Sequence, residues 1–532
     1  MAEAREARWK KPEMVHWYDV GQLADTGTYV FLSTLLGSMI DTRRFPPLEG
    51  DDEHCIVDYS DASEVWFDYA ADIGDGWDAT YTMAYLFSSP EIELQPGTKL
   101  PRARFLVLGG DEVYPRASKN EYAQRLVWPF NQASRNLGHY SPDQDAAKPE
   151  HLRDIYCIPG NHDWYDGLAA FTRRFCNRRN IGSFQTRQCR SYFVLRLPHR
   201  WQIWAADVQL GHDLDVHQLN FFRKHAESLE AGTRVILCLA EPEWVYGERS
   251  REDLHFNIER LERMIEAKGG KVPLQLAGDI HNYQRYEGPR NPGGGHESYR
   301  QTKIVSGGGG AFLHPNHTYP ERRQLPRGFT CENRYPDART TWRLSFGNLL
   351  FAFKNWRLSC LLGLVYLILF WSVPVQHIGR TFPLENPGSA LLMILLFMGL
   401  WYFSDFRVRT YNFFWGLAHA AAHVGAAFLT WLWVPGLFPD TWAYVPRLAV
   451  FLVGSAFGGT VFGLYLLLSL NVFKIHENEA FSSLRIPNYK HLLRFHLTEN
   501  ELKLHVIAVD KTAGEDATHP VPTRLIEVRS IS

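Results

Sequence analysis

Two patterns of apolar and polar residues divide this chain. Over 61–310, short β-branched or aromatic runs alternate with amphipathic stretches; over 357–473, long apolar stretches carry almost no charge. In the first region EVWFDYAA, RFLVLG, RDIYCIP, SYFVLRL, WQIWAAD, TRVILCLA, VPLQLA and TKIVSG have strand length and composition. HQLNFFRKHAESLEA and HFNIERLERMIEAKG repeat their apolar residues at helical spacing. The alternation predicts a layered α/β domain over 61–345. SYFVLRLPHRWQIWAAD reads as neighbouring strands of a hairpin, so mixed sheets are expected. The lead-in over 1–60 holds one helical stretch, 22–42, whose run YVFLSTLLGSMI is too short to cross a bilayer.

The apolar region predicts four membrane-spanning helices at 358–376, 388–404, 412–436 and 448–473, a bundle occupying 346–473. Trp356, Trp371, Tyr402, Tyr411, Trp433, Trp442 and Tyr444 mark its edges, as interfacial aromatics do. Lys354, Arg357, Arg407, Arg409, Lys474, Arg485, Lys490 and Arg494 fall on one side, Arg380 and Arg447 on the other. That bias predicts a multi-pass protein of the cell membrane whose α/β domain and tail face the cytoplasm. In the tail, 474–532, LLRFHLT, ELKLHVIAVD and PTRLIEVRSI read as two or three strands that pair with each other or extend the domain's sheet. His419 and His423 share a face of the third span, where interhelical hydrogen bonding is the plainer reading beside metal ligation or proton transfer.

Composition narrows the class. A net charge of -2 gives no sign of a nucleic-acid face. Seven cysteines, an odd number with no CxxC, speak against a disulfide framework and a thiolate zinc site. The N-terminal segment lacks the apolar core of a signal peptide, which fits a reducing, cytoplasmic setting.

The candidate chemistry lies in four motifs, each just past a strand-like run: Asp72-Ile73-Gly74, Gly110-Asp111-Glu112-Val113-Tyr114, Gly160-Asn161-His162-Asp163 and Gly278-Asp279-Ile280-His281. Carboxylates, an amide and an imidazole held at strand ends suit a catalytic first-row metal. Asp72 and Asp111 are the first carboxylates to consider, and the Gly-Gly turn before Asp111 exposes it as a bridge between two metals. Asn161 offers an amide oxygen and His281 a ring nitrogen. His162 can face a phosphate and protonate a leaving oxygen, with Asp163 orienting it. Asp75 and Asp78 are spare carboxylates in a turn, read more plainly as turn caps. His314 and His317 follow the Gly-rich run SGGGG and are candidates for substrate contact. His212, His217 and Asp207 read as scaffold.

This motif order resembles the calcineurin-like metallophosphoesterase superfamily, and its Asp-x-Gly and Gly-Asp-x-x-Tyr forms resemble the purple acid phosphatase branch. The resemblance covers about 61–310. It implies an α/β/β/α sandwich and two metal ions, divalent or mixed-valence, drawn from Mn, Fe, Mg or Zn. It also implies a first metal held by Asp72, Asp111, Tyr114 and His281, and a second held by Asp111, Asn161 and two histidines. Both of those histidines are absent: Asp279 stands at one position and Ala240, followed by Glu241, at the other. Asp279 and Glu241 would make the second position all-oxygen, which favours Mn²⁺ or Mg²⁺. A Tyr114 phenolate would favour Fe³⁺. The expected activity is hydrolysis of a phosphate ester or pyrophosphate, on a phosphorylated small molecule or lipid near the bilayer. A catalytically weak phosphate sensor is the alternative, prompted by the two missing histidines; a transporter with an auxiliary domain is a third, disfavoured by the scarcity of intramembrane charge and the lack of an inverted repeat.

Overall fold

A computed structural model gives the fold. It describes residues 10–25, 27–28, 55–94, 97–141, 146–208, 214–246, 256–291, 297–371, 387–406, 408–439, 444–515 and 521–531. The apolar run at 29–40, His212, Arg380, Arg407 and Trp442 lie outside the described residues.

Two large mixed sheets form the domain. One has eight strands in the order Arg524–Ile531, Leu502–Val509, Lys490–Leu497, Val65–Ala70, Phe105–Leu108, Arg153–Cys157, Phe184–Thr186 and Asn180–Ile181. The other has nine, with Trp201–Ala205, Arg234–Cys238, Lys271–Ala277 and Tyr299–Ser306 parallel at its centre. Phe193–Leu197 runs antiparallel to Trp201–Ala205, the hairpin expected from the sequence.

Strand periodicity explains the layering. In Val65–Ala70, Val65, Phe67 and Tyr69 point into a core shared with Phe193, Leu195, Ile236, Cys238, Leu274 and Leu276 of the other sheet. Ala70, Leu106 and Leu108 point the other way, against the helix Trp77–Ser88 and the helical segment through Trp128–Asn136. Val235, Leu237 and Val272 face outward on the second sheet, where Val216–Glu227 and Phe256–Glu266 pack.

The tail does not stand apart as a unit over 474–532. Its strands Lys490–Leu497, Leu502–Val509 and Arg524–Ile531 extend the eight-stranded sheet, with Lys490–Leu497 antiparallel to Val65–Ala70. Arg494 lies directly opposite Asp68 and grips it with two hydrogen bonds of 2.8 Å, both side chains buried. Arg494 and Lys490 are therefore interior charges of the domain, not cations beside the membrane as the sidedness argument took them.

The apolar region forms helices at all four expected places, but they differ in reach. Arg409–Leu437 and Val445–Phe473, 29 residues each, are long and apolar enough to cross a membrane. Ala338–Lys354 and Trp356–Leu369 pass only as a pair, bent by 60°. At the bend the Asn355 side chain donates to the Ser483 carbonyl, tying it to the segment after the last long helix. Pro387–Phe403 is apolar but has 17 residues. Among the described residues, two helices, or three if the bent pair is counted as one, are thus long and apolar enough to cross a membrane, in place of four uniform spans.

The cysteine reading is corrected at one place. Cys55 and Cys189, 134 residues apart, are joined as a disulfide with Cα atoms 5.8 Å apart. The pairing of Ile56–Asp58 with Phe193–Leu197 brings them together, a contact invisible in their spacing. Cys157 and Cys238 are buried and unpaired, as their apolar runs suggest.

Candidate metal centre

Four strand ends meet at one edge of the two sheets. Asp72, Asp111 and Asp279 follow Val65–Ala70, Phe105–Leu108 and Lys271–Ala277, and all three have left-handed backbones, with φ of 60°, 52° and 66°. Such conformations cost a non-glycine residue about 1–2 kcal/mol each. Three in one cluster mark a site where the surrounding structure enforces them. Ladder-like bonds lock the turns together: Asp72 N–H donates to Gly110 O, Ile73 N–H to Asp111 O and Tyr114 N–H to Gly74 O, at 2.9–3.0 Å. The motif glycines are required by close approach. A side chain at Gly160 would start 2.1 Å from Asp111 Oδ1, and one at Gly307 would start 2.4 Å from Asp72 Oδ2.

The four residues of the expected first metal position converge. The Tyr114 hydroxyl lies 3.0 Å from Asp72 Oδ1, 3.1 Å from Asp111 Oδ2 and 3.1 Å from His281 Nε2. His281 Nδ1 is 2.7 Å from the Phe312 carbonyl, which can only accept, so Nδ1 carries the proton and the Nε2 lone pair faces the cluster. One hydroxyl proton therefore faces three acceptors. Burial, then repulsion from Asp279, pushes the Asp72 carboxyl far up; burial, then Asp72, does the same to Asp111. Burial lowers His281 well below the usual imidazole range. Among the described residues no group of three or more His, Cys, Asp or Glu side chains stands in a metal-holding arrangement. Here the fourth donor is a phenol, and it sits between the other three. Two carboxylates, a phenol and an oriented imidazole fit a cation by their chemistry.

The second position is less complete. Asn161 Oδ1 is buried with no hydrogen-bond partner among the described residues, as an oxygen kept for a cation would be. Asp279 gives its N–H to Asp72 Oδ2 at 2.9 Å, while its own Oδ2 accepts from the Tyr246 hydroxyl. Ala240 abuts the site, its Cβ 3.1 Å from where a Gly110 side chain would begin. Glu241 is buried in the following turn beside Glu243.

His162 and Asp163 divide their work differently from the sequence reading. His162 N–H donates to Asp111 Oδ1 at 2.9 Å, and its Nδ1 donates to the Pro115 carbonyl at 2.7 Å. Burial pulls its ring down to about 4. Asp163 does not orient it. The Asp163 carboxylate turns back to accept from Gly160 N at 2.9 Å, Glu112 N at 3.2 Å and the Tyr122 hydroxyl, capping its own helical turn, Asn161–Trp164. It braces the turns that carry Asp111 and Asn161.

The histidines after the Gly-rich run also separate. His314 stacks on His281 with ring centres 4.1 Å apart. His317 is held away, its Nδ1 3.0 Å from Thr341 Oγ1. The Gly-rich run backs the turn that carries Asp72: Gly309 N–H donates to Ala71 O and Ala311 N–H to Asp72 O. Asp75 is a brace, accepting from Val15 N at 2.7 Å and Phe312 N at 3.3 Å; Asp78 is exposed in the first turn of Trp77–Ser88. Asp207 accepts from Trp164 and Ser191, a scaffold role as expected.

Three neighbours carried no sequence signal. Trp17, from the lead-in, stands 5.6 Å from the His162 ring and 6.3 Å from Phe312. Lys490, from the tail, is buried and donates to the Ala311 carbonyl; burial draws its ammonium down to about 7. Glu112, beside Asp111, is buried and raised by burial and then by Asp163.

No protein-family profile matches the sequence, and no curated protein does. Two solved structures are remotely similar. One is titled GAP50, the anchor in the inner membrane complex of Plasmodium: 12% identity, TM-score 0.33, spanning 48% of this chain and 74% of that one. The other is PhoD: 13% identity, TM-score 0.29, spanning 48% of this chain and 59% of that one. At these values the likeness is remote.

Proposed function

We propose that this chain is a metal-dependent phosphoesterase, an α/β/β/α metallophosphoesterase sandwich carried on membrane-crossing helices with its domain on the cytoplasmic face. One observation carries the reading: Asp72, Asp111 and the Nε2 of His281 crowd around one hydroxyl, that of Tyr114, at 3.0–3.1 Å. Carboxylates buried this close together are costly to ionise, and a cation removes the cost. Asp72, Asp111, Tyr114 and His281 would hold the first ion; Asp111, Asn161 and Asp279, with Glu241 adjacent, would hold the second. Bound there, metal ions polarise a phosphoryl group and lower the pKa of water.

The chain's own residues supply the rest. Asp111 presents Oδ2 to the Tyr114 side and Oδ1 to the His162 N–H, so its two oxygens face different neighbours. His162, its Nδ1 proton committed to Pro115, turns the Nε2 lone pair to the site, which would take up a proton beside a bound phosphate anion before passing it to a leaving oxygen. His314, stacked on His281, lines the same side of the site. Lys354, Arg357, Lys474 and Arg485 near the domain-side helix ends support the cytoplasmic placement.

The test is metal content and hydrolysis of bis-p-nitrophenyl phosphate and p-nitrophenyl phosphate by full-length protein in detergent, with Mn²⁺, Mg²⁺, Zn²⁺ or iron added. Asp111→Asn is expected to lose bound metal and to lower turnover about 10³-fold or more while keeping its thermal unfolding profile. Phosphate binding with no turnover under any metal would instead favour the sensor reading, which the missing histidines and the occupied Asp279 Oδ2 support.

A further inference from the structure

A cavity of about 920 Å³ opens beside the metal centre and runs to the helix ends. At its inner end stand Asp279, Tyr246 and His314. At its outer end stand Phe406, Tyr411 and Phe473, at the domain-side ends of Pro387–Phe403, Arg409–Trp433 and Val445–Phe473. We infer that this cavity receives a phosphorylated lipid from the adjoining bilayer leaflet, its phosphate toward Asp279 and its acyl chains leaving past Tyr411 and Phe473. The inference rests on the phosphoesterase reading and names its substrate class.

Three observations carry it. The volume lies at the upper end of small-molecule sites, more than a bare phosphate ester fills. The two ends differ in chemistry: among the described residues the metal-centre end carries no exposed aromatic cluster, while the helix end sets Phe406, Tyr411 and Phe473 among the polar Asp405 and Lys474, the mixture found where a headgroup meets the start of its tails. The outer end also sits at bilayer-interface level: Tyr402, Tyr411 and Trp356 are 94%, 60% and 58% exposed there, where aromatic residues settle in headgroups. Positive charge for a phosphate comes from Arg323, packed over the Tyr319 ring at 4.0 Å, and from Lys474. Two of the acidic lining residues are engaged: Glu477 accepts from the Tyr319 hydroxyl at 2.8 Å, and Glu479 lies 3.6 Å from His476. A soluble phosphate ester would need the inner end but has no use for the outer one.

The experiment uses full-length protein in phosphatidylcholine vesicles. Long-chain phosphatidic acid and soluble p-nitrophenyl phosphate are compared as substrates. In parallel, phosphatidic acid with a photoreactive group near the start of its acyl chain is crosslinked and the adducts mapped, a readout that needs no turnover. Crosslinks are expected on Phe406, Tyr411 and Phe473. The lipid-to-soluble ratio of kcat/KM is expected to fall about tenfold or more in Phe473→Ser and in Tyr411→Ser, the latter at an exposed position that tolerates change. Crosslinks spread evenly around the helices, or ratios within about twofold of the parent in both variants, overturn the lipid assignment. Turnover of the soluble ester with no cavity crosslinks keeps the phosphoesterase and removes the lipid. Cavity crosslinks with no turnover of either ester keep the lipid site and remove the phosphoesterase.

Discussion

Asp163 shows how little a residue's neighbours in sequence say about its partners. It follows His162, yet its carboxylate serves Gly160 N, Glu112 N and Tyr122, and so holds two ligand-bearing turns in register. Asp163→Asn should therefore act on metal affinity before chemistry. Apparent metal affinity is expected to fall about 10- to 100-fold, with turnover restored by excess metal; loss of turnover at unchanged metal affinity would refute this role. Far from the site, His225 reports on acid stability. Its Nε2 is 2.9 Å from Gln202 Oε1, and burial lowers its ring from the ordinary 6.5 to about 4. The unfolded chain takes up this proton near pH 6.5 and the folded chain only near 4, so stability falls as pH drops through that window, by at most ~3 kcal/mol from this group. His225→Gln should flatten the pH dependence of thermal unfolding between pH 6.5 and 4; an unchanged slope would count against it.

Among the elements, Val445–Leu468 is built for close contact. Gly454, Gly458, Gly459 and Gly463 line the face toward 348–366, and a side chain at Gly463 would start 2.2 Å from the Asn348 carbonyl and 2.6 Å from Phe351 Cβ. Small residues at a membrane-helix contact let backbones approach where no hydrophobic force drives them together. Gly463→Val is expected to destabilise the protein by about 1–3 kcal/mol in detergent melts. Gly425→Ala, where nothing lies within 4 Å, should be nearly neutral. The histidine pair belongs to the same packing: His423 Nδ1 meets the Tyr366 hydroxyl at 2.9 Å across helices, and its Nε2 is 3.2 Å from His419 Nε2. That is the interhelical bonding the small-residue surroundings suggested.

At the scale of the whole molecule, the helices interrupt a single domain. Lys490–Leu497 pairs with Val65–Ala70, so the chain before 346 and after 489 lies on one side of any membrane. Crossings between them must be even in number: two or four, not three. If the bent pair crosses, Pro387–Phe403 must cross as well. With four crossings, Arg380→Cys should react with an impermeant maleimide only from the face opposite the domain; labelling from the domain's own face would mean two. The same assay on the partly exposed Cys189 after reduction tells which compartment the domain occupies, since its disulfide with Cys55 favours an oxidising one and the basic helix ends a cytoplasmic one. The sequence by itself determined the alternating strands and helices, the apolar region and the strand-end motifs that carry Asp72, Asp111, Tyr114 and His281, because periodicity and strand-end motifs are local. Only the tertiary structure decided that the tail completes the sheet, that Trp17 and Lys490 border the centre, that Asp163 braces rather than orients, and that Cys55 meets Cys189. Those partners are 3 to 432 residues apart in the chain, and only the two sheets' strand order brings the distant ones together.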